Sequence, residues 1–214
     1  MPSAVIRSTH SAKQFSFKPR NGSTDLYDQS AGSDSNSIVS DNLTSGYFGT
    51  QYNSAGADDF ILPGTTKHHI TYVIANGVDY VYYGYAEPTS FDVVFYKKIK
   101  VKNGVDVSKV IKSCPGSGFI DLDGGHGAVA IAVSGCGAKV KGGKWHAVSV
   151  TANQYFQTAY EWFWRTNISQ QGKPAYWENP GNGFGTGCTV WAQMDVCLPY
   201  TGVGPDFAFA IYGN

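Results

Sequence analysis

The sequence predicts an all-β fold, a two-sheet antiparallel β-sandwich that is jelly-roll-like. Its 214 residues include 26 Gly, 14 Tyr and 12 Phe, but only 15% are charged. Residues that form turns and strands are therefore abundant, whereas the Lys and Glu that cover helix surfaces are scarce. About nine or ten short apolar segments, many of them alternating, follow one another at regular spacing, which is typical of sandwiches.

The chain is divided into an N-terminal arm, residues 1–26, and a β-sandwich domain, residues 27–214. Residues 4–18 alternate loosely and predict a strand that ends at Pro19. Residues 20–57 are rich in Ser, Asn, Asp and Gly and predict a long surface excursion. Such a long spacer lets the arm reach an edge of its own sandwich or of a neighbouring copy. Docking on its own domain is favoured, and exchange between copies would give a homo-oligomer.

Alternation and turn residues predict the strands of the domain. An Asp-Gly pair at 123–124 between apolar segments indicates a hairpin. The predicted strands are 57–63, 69–75, 78–83, 90–96, 105–111, two short strands within 118–133, 144–151, 160–165 and 206–212. No segment has the periodicity of an amphipathic helix.

Charge and hydropathy exclude two kinds of partner. The formal net charge is zero, with 16 basic and 16 acidic residues, which argues against a nucleic-acid surface and a polybasic membrane patch. No apolar segment approaches the length of a membrane-spanning helix, so no membrane insertion is expected.

The four cysteines predict two disulfides and an extracellular location. Their spacing matches no zinc motif. Three pairings are possible, and the two short loops are favoured, Cys114 with Cys136 and Cys188 with Cys197. Each link would stabilise the fold by about 2–4 kcal/mol by restricting the unfolded chain. Disulfides form in oxidising compartments, so the protein is expected to be secreted.

Several segments together resemble a known kind of module. They read SAGADDFILPGT, ITYVIANGVDY, SFDVVFYK, WHAVSV, WFWRTN, AYWENPGNGFGTGCTVW and PDFAFAIYG. Over residues 27–213 the chain resembles a β-sandwich module that recurs in bacterial secreted proteins. The resemblance implies an accessory domain of the extracellular space.

Three aspartates suggest calcium. Modules similar to this one often bind calcium where the first and last core strands meet, which would bring Asp58 or Asp59 together with Asp206. Carboxylate oxygens are the ligands that Ca²⁺ prefers. In the alternative interpretation, one aspartate caps a turn or accepts hydrogen bonds from backbone amides. Adjacent strand residues point to opposite faces, so Asp58 and Asp59 do not form a catalytic pair.

The aromatic residues of the last third indicate a carbohydrate-binding platform. Tyr176, Trp177 and Trp191 lie in Gly- and Pro-rich segments, one of them between the second pair of cysteines. Flat rings on rigid loops suit stacking on sugars. The hydrogen-bonding groups expected beside them are Arg165, Glu178 and Asn179. In the alternative interpretation, these rings belong to the core, as large aromatic side chains of sandwiches usually do.

Three classes of function remain. A non-catalytic extracellular module that binds a polymer, with a polysaccharide or glycan as partner, is favoured. The second class is a self-assembling subunit of a fibre or coat that uses the N-terminal strand. An enzyme ranks third, because the sequence has no Gly-x-Ser-x-Gly elbow and its cysteines are expected to be oxidised.

Overall fold

A computed structural model describes residues 3–7, 17–19, 22–46, 49–81, 88–125, 127–156, 160–199 and 201–214. Their secondary structure is almost entirely β. The strands are β1 (Val5–Arg7), β2 (Thr24–Asp28), β3 (Ser33–Val39), β4 (Asp41–Gly46), β5 (Ala55–Ile61), β6 (Lys67–Ala75), β7 (Gly77–Val81), β8 (Ser90–Lys98), β9 (Val101–Lys102), β10 (Val105–Asp106), β11 (Lys109–Ser117), β12 (Phe119–Asp121), β13 (Val129–Ala132), β14 (Lys139–Lys141), β15 (Trp145–Phe156), β16 (Tyr160–Asn167), β17 (Tyr176–Glu178), β18 (Ala192–Gln193), β19 (Asp206–Phe207) and β20 (Phe209–Gly213). Two 3₁₀ turns, Gly49–Tyr52 and Ser134–Cys136, and one α-helix, α1 (Met194–Cys197), complete the elements of the described residues.

The strands form a β-sandwich, as predicted. A seven-stranded sheet has the order β11-β8-β15-β5-β17-β18, with β4 beside β15. A six-stranded sheet has the order β12-β13-β6-β20-β2, with β14 beside β6, and a five-stranded sheet has the order β1-β3-β16-β19, with β7 beside β16. Only Asn76 separates β6 from β7, and only Ala208 separates β19 from β20, so these two sheets share continuous chain. The pairing of β4 with β15 is parallel, unlike the antiparallel pairs of the prediction.

Aromatic side chains fill the space between the layers. Phe91 of the seven-stranded sheet meets Trp162 of the opposite layer edge to face, with ring centroids 5.2 Å apart. Trp164 stacks on Phe207 at 4.3 Å. Gly56 makes this close approach possible, since a Cβ there would lie 2.6 Å from the Phe207 ring. Fully burying such a side chain stabilises the fold by about 1.5–3 kcal/mol.

The predicted strands from residue 57 onward are present, with most ends displaced by a few residues. Residues 82 and 83 of the strand predicted at 78–83 lie outside the described part of the chain. The predicted hairpin is β12 with β13, and Asp121 Oδ1 accepts the backbone N–H groups of Asp123 and Gly124 in its turn. The predicted strand 105–111 is divided between β10 and β11.

The prediction of a surface excursion over residues 20–57 is wrong. This region contains β2, β3 and β4. Its polar side chains are partnered inside the sandwich: Ser40 Oγ donates to the Val150 carbonyl at 2.5 Å and accepts the N–H of Gly56 at 2.9 Å. Serine and aspartate can therefore occupy buried strand positions, which a search for apolar alternation does not detect.

The N-terminal arm docks on its own sandwich, as favoured by the sequence. Strand β1 is an edge strand and pairs antiparallel with β3, with Val5 opposite Ile38. Within the predicted strand 4–18, residues 8–16 lie outside the described part of the chain. Strand β2 pairs with β20, so the predicted boundary between residues 26 and 27 falls inside a strand of the sandwich.

Both predicted disulfides are confirmed. Cys114 of β11 is bonded to Cys136, which follows β13, so this link joins the two layers. Cys188 is bonded to Cys197 of α1. No helix within the described ranges has the length and hydropathy needed to cross a membrane.

Candidate functional site

The prediction of an exposed platform is wrong for Trp177 and Trp191. Trp177 is fully buried, and its indole N–H donates to the Val39 carbonyl at 2.9 Å. It lies opposite Gly56 in the pairing of β17 with β5, at the one position of this three-residue strand that is buried. Trp191 is 4% exposed and contacts Tyr96 edge to face. The alternative interpretation, that these rings belong to the core, is the correct one.

Two of the predicted hydrogen-bonding residues are also structural. Asn179 is fully buried, and its amide donates to the carbonyls of Gln51 and Asn53 at 2.7 and 2.8 Å. Arg165 is buried on β16, opposite Ser37 of β3. They hold the fold together, and neither is exposed enough to present its side chain to a polymer.

Tyr176 and Glu178 are half-buried on the outer face of β17. Burial raises the pKa of Glu178 to about 7, and the charge of Asp106 adds to this increase. Burial also raises the pKa of Tyr176, as does the charge of Asp59. Tyr176 is the residue of the predicted platform that lines the cleft described next.

The cleft has a volume of about 470 Å³ and lies on the outer face of the seven-stranded sheet. Its most exposed aromatic residue is Trp145, the first residue of β15, which is 47% exposed. Ile99 and Ala147 are apolar residues that line the cleft between Trp145 and Tyr176. Such a combination of apolar lining and a few polar groups is typical of ligand sites.

Strand register explains why these residues lie together. Ala147 of β15 is opposite Asp59 on one side and Tyr96 on the other. Successive strand residues point to opposite faces, so Asp59 and Trp145 share the outer face with Ala147, while Phe60 enters the core. Small alanines at the centre of the sheet leave a depression between the larger side chains.

The alternation of β15 is sufficient to predict an exposed Trp145, because His146 belongs to the buried face and its neighbour therefore points outward. The sequence analysis did not predict this residue as a binding residue, because the aromatic residues of the last third gave the denser pattern. His146 is 6% exposed, and its Nε2 lies 2.9 Å from the Lys141 carbonyl.

The loop 170–173 forms one wall of the cleft and is attached to two aspartates. Gln171 donates its backbone N–H to Oδ2 of Asp206, and Lys173 donates its own to Oδ2 of Asp59 at 3.1 Å. Between them, Gly172 has a φ of +85° and lies against both Asp59 and the Trp145 ring. A side chain at residue 172 would displace one or both of these groups.

Asp59 is the acidic group of the cleft. Burial raises its pKa to about 6, while the backbone N–H and the charge of Lys173 act in the opposite direction. Its Oδ1 has no hydrogen-bond partner among the described residues. One oxygen of the carboxyl group is therefore held by the loop, and the other is buried beneath Gly172 without a hydrogen-bond partner among the described residues.

Asp58 and Asp206 are buried beside the cleft, at the junction of the first and last core strands. Asp58 Oδ2 accepts the side-chain amide of Gln29 and the backbone N–H of Phe207, both at 2.7 Å. Its Oδ1 accepts the N–H of Asp59. Burial and the nearby Asp206 raise the pKa of Asp58 well above its usual range. Burial also raises the pKa of Asp206 to about 7.

The structure thus brings together the three aspartates that were predicted to bind calcium. The hydrogen bonds of Asp58 match the alternative interpretation, in which an aspartate accepts backbone amides. Oδ1 of Asp59 and Oδ1 of Asp206 are buried without a partner in the ranges that the structure describes. Over the described part of the chain, no three His, Cys, Asp or Glu side chains are grouped so that they could hold a metal ion.

Comparisons of the chain with protein-family models, with curated proteins and with solved structures gave no match. The resemblance to secreted bacterial β-sandwich modules therefore stays a prediction, and the cleft is the basis for a functional proposal.

Proposed function

We propose that the protein is a non-catalytic extracellular module and that the Trp145 cleft binds a carbohydrate chain. The observation that carries the proposal is the exposed indole of Trp145 in a cleft that Tyr176 and lysine side chains also line. An indole face stacks on the C–H face of a sugar ring, and lysine ammonium groups donate hydrogen bonds to sugar hydroxyls.

The size and lining of the cleft support a sugar as ligand. A volume of about 470 Å³ lies within the range of small-molecule sites, roughly 300–1,000 Å³. Tyr176 adds a second partly exposed ring, and Lys97, Lys98 and Lys173 add hydrogen-bond donors. Rings and polar groups held on a sheet are preorganised, so little conformational entropy is lost on binding.

The extracellular part of the proposal is supported by the two disulfides. Cys114–Cys136 joins the layers, and Cys188–Cys197 closes the segment after β17. Such links persist in oxidising compartments and are rare where thiols are kept reduced. A secreted protein that binds extracellular polymers fits this chemistry.

We also propose that calcium binds at Asp59 and Asp206, as the sequence suggested. Their two Oδ1 atoms support the proposal, since buried carboxylate oxygens without partners in the described ranges are suited to a hard cation. Asp58 is not a proposed ligand, because its oxygens already accept three N–H groups.

The carbohydrate proposal is tested by Trp145→Ala in affinity electrophoresis against a panel of soluble polysaccharides. Retardation by at least one polymer is expected for the wild type, with a loss of about tenfold or more in the variant, as removal of one stacking ring costs about 1–3 kcal/mol. The matched control is Ile120→Ala, because Ile120 is 48% exposed and lies on β12 in the opposite layer.

The two variants separate binding from stability. Both residues are about half exposed, so both variants should melt close to the wild type. Equal retardation of Trp145→Ala and Ile120→Ala, or no retardation of the wild type by any polysaccharide, would contradict the proposal.

A further inference from the structure

The balanced net charge of the chain conceals an uneven distribution of lysine. Nine of the thirteen lysines lie between residues 97 and 144, together with only three acidic residues. The remaining residues contain seven basic and thirteen acidic side chains. One continuous segment therefore has a strong positive charge, and the rest of the chain compensates it.

The fold places part of this positive charge at the Trp145 cleft. Lys97 and Lys98 line it from the end of β8, and Lys173 lines it from the loop 170–173. Lys109 of β11 is directly opposite Lys98. Lys144 immediately precedes Trp145 in the chain and is exposed. Lysines therefore line the cleft from two separate parts of the sequence, residues 97–98 and residue 173.

A second strand pair shows the same arrangement. Lys141 of β14 is directly opposite Lys67 of β6, and the Lys141 carbonyl is in contact with His146 at the cleft. Like charges directly opposite each other on neighbouring strands destabilise a sheet. Of these two pairs, Lys98 with Lys109 is the one at the cleft, where a bound anion would reduce the repulsion.

We infer that the ligand of the cleft is an acidic polysaccharide, whose sugars have carboxylate or sulfate groups. This inference rests on the proposed function and adds the charge of the ligand. Trp145 stacks on the sugar ring, and Lys97 and Lys98 bind the anionic substituent. The charge of Lys173 partly offsets that of Asp59, which also lines the cleft.

The cleft fits a sugar polymer better than a nucleic acid. Nucleic-acid surfaces follow a phosphate backbone with a long basic stripe and stack several bases on aromatic rings. Here one strongly exposed tryptophan and one half-buried tyrosine line a depression on the sheet. Binding of single-stranded DNA is therefore included in the test as a result that would overturn the inference.

The test uses pairs of polymers that differ only in charge. The pairs are polygalacturonate with its fully methyl-esterified form, and dextran sulfate with dextran, measured by biolayer interferometry at about 50 and about 500 mM NaCl. The wild type is expected to bind at least one charged member and to bind its neutral partner at least tenfold more weakly. The higher salt should weaken binding by about tenfold or more, because salt screens exposed charges. The two pairs distinguish carboxylate from sulfate.

The variant Lys98→Gln tests whether a lysine of the cleft binds the charged polymer, and Lys18→Gln is its control. Lys18 is exposed and adjoins Phe17, which packs on Tyr72 of the opposite layer. Lys98→Gln should weaken binding of the charged polymer about threefold to tenfold, whereas Lys18→Gln should not change it. Removal of Lys98 also removes its repulsion with Lys109, so the variant should melt no lower than the wild type.

The possible failures are distinguishable. Equal, salt-independent binding of charged and neutral polymers that still requires Trp145 would leave the proposed function intact and overturn the inference. An unchanged affinity in Lys98→Gln would also overturn it. If no polysaccharide binds, the proposed function fails together with the inference. Tighter binding of single-stranded DNA than of every polysaccharide would also overturn both the proposed function and the inference.

Discussion

Lys173 donates its backbone N–H to Oδ2 of Asp59 across 3.1 Å. This bond attaches the loop 170–173 to β5, and a second bond from Gln171 to Asp206 attaches the start of the same loop. The wall of the cleft is thus held by two carboxyl groups, with Gly172 between them. A change at either carboxyl group or at the glycine therefore acts on the cleft.

Gly172→Ala is predicted to damage both the fold and the cleft. Its φ of +85° disfavours any side chain by about 1–2 kcal/mol, and the new Cβ would lie 2.7 Å from Cζ3 of Trp145. The control is Gly104→Ala, because Gly104 has a φ of +72° and a Cβ there would meet no described atom within 4 Å. Urea denaturation should show a greater loss of stability for Gly172→Ala, and only this variant should lose polysaccharide binding. Equal losses would show that Gly172 does not shape the cleft.

The stability of the protein is predicted to fall as the pH rises from about 5 to 8. Burial raises the pKa of Asp206 and of Glu161 to about 7, and raises the pKa of Asp41 and of Asp58 well above the usual value. These groups hold protons in the folded state at pH values where the unfolded chain has released them. Their stabilising effect is therefore complete near pH 4 and is lost as the pH rises through the folded values.

This pH dependence is measured as the melting temperature in EDTA from about pH 5 to about pH 8. A fall of several degrees is expected. Asp206→Asn cannot ionise and keeps an acceptor for Gln171, so its melting temperature should depend less steeply on pH. A melting temperature that rises over this interval would contradict the prediction.

The calcium proposal predicts that bound calcium raises the stability at high pH, where ionisation of the buried carboxyl groups lowers it. Calcium requires deprotonated carboxylates, so about 1 mM CaCl₂ should raise the melting temperature near pH 8 and have little effect near pH 5. Stabilisation by mass action is about 2.7 kcal/mol when the ligand is at one hundred times its Kd. Asp206→Asn should remove the effect. Equal melting temperatures in calcium and in EDTA at the higher pH would exclude this site.

Trp177→Ala is predicted to destabilise the protein by about 3–5 kcal/mol, because the ring is fully buried and the Val39 carbonyl loses its indole donor. Guanidinium denaturation measures this loss. Trp177→Phe should retain part of the packing and cost less. A variant Trp177→Ala with wild-type stability that no longer binds polysaccharide would contradict the assignment of this ring to the core.

Deletion of residues 1–20 is predicted to lower the melting temperature of a monomer by a few degrees. The deletion removes β1, the hydrogen bond from Val39 N–H to the Ala4 carbonyl, and the cover over one edge of β3. Light scattering after size-exclusion chromatography, at several concentrations, measures assembly. The contrary result would be a full chain that forms oligomers and a deletion variant that is monomeric with an unchanged melting temperature. That result would show that the strand is exchanged between copies, and it would support the structural-subunit hypothesis.

The sequence was informative wherever local patterns and local energies decide the structure. Alternation predicted strands such as β8, because one face of that strand is buried and the other is only partly so. The Asp-Gly turn indicated the β12–β13 hairpin, and short loop lengths indicated both disulfides. Strands with buried polar residues were missed because their hydrogen-bond partners come from distant segments, as when Asn36 of β3 donates to the Gly202 carbonyl.

The sequence by itself predicted the β-sandwich and favoured the correct cysteine pairs, and the resemblance implied that Asp58 or Asp59 meets Asp206. Only the tertiary structure decided which aromatic rings face solvent. Trp177 is buried because its strand position points into the core, where the carbonyl of Val39, which is far away in the chain, accepts its indole N–H. Trp145 is exposed because its strand position faces outward beside the small side chain of Ala147 and the loop at Gly172. Exposure of a ring depends on what the fold packs against it, and those contacts are separated too widely in the chain for local pattern to reveal.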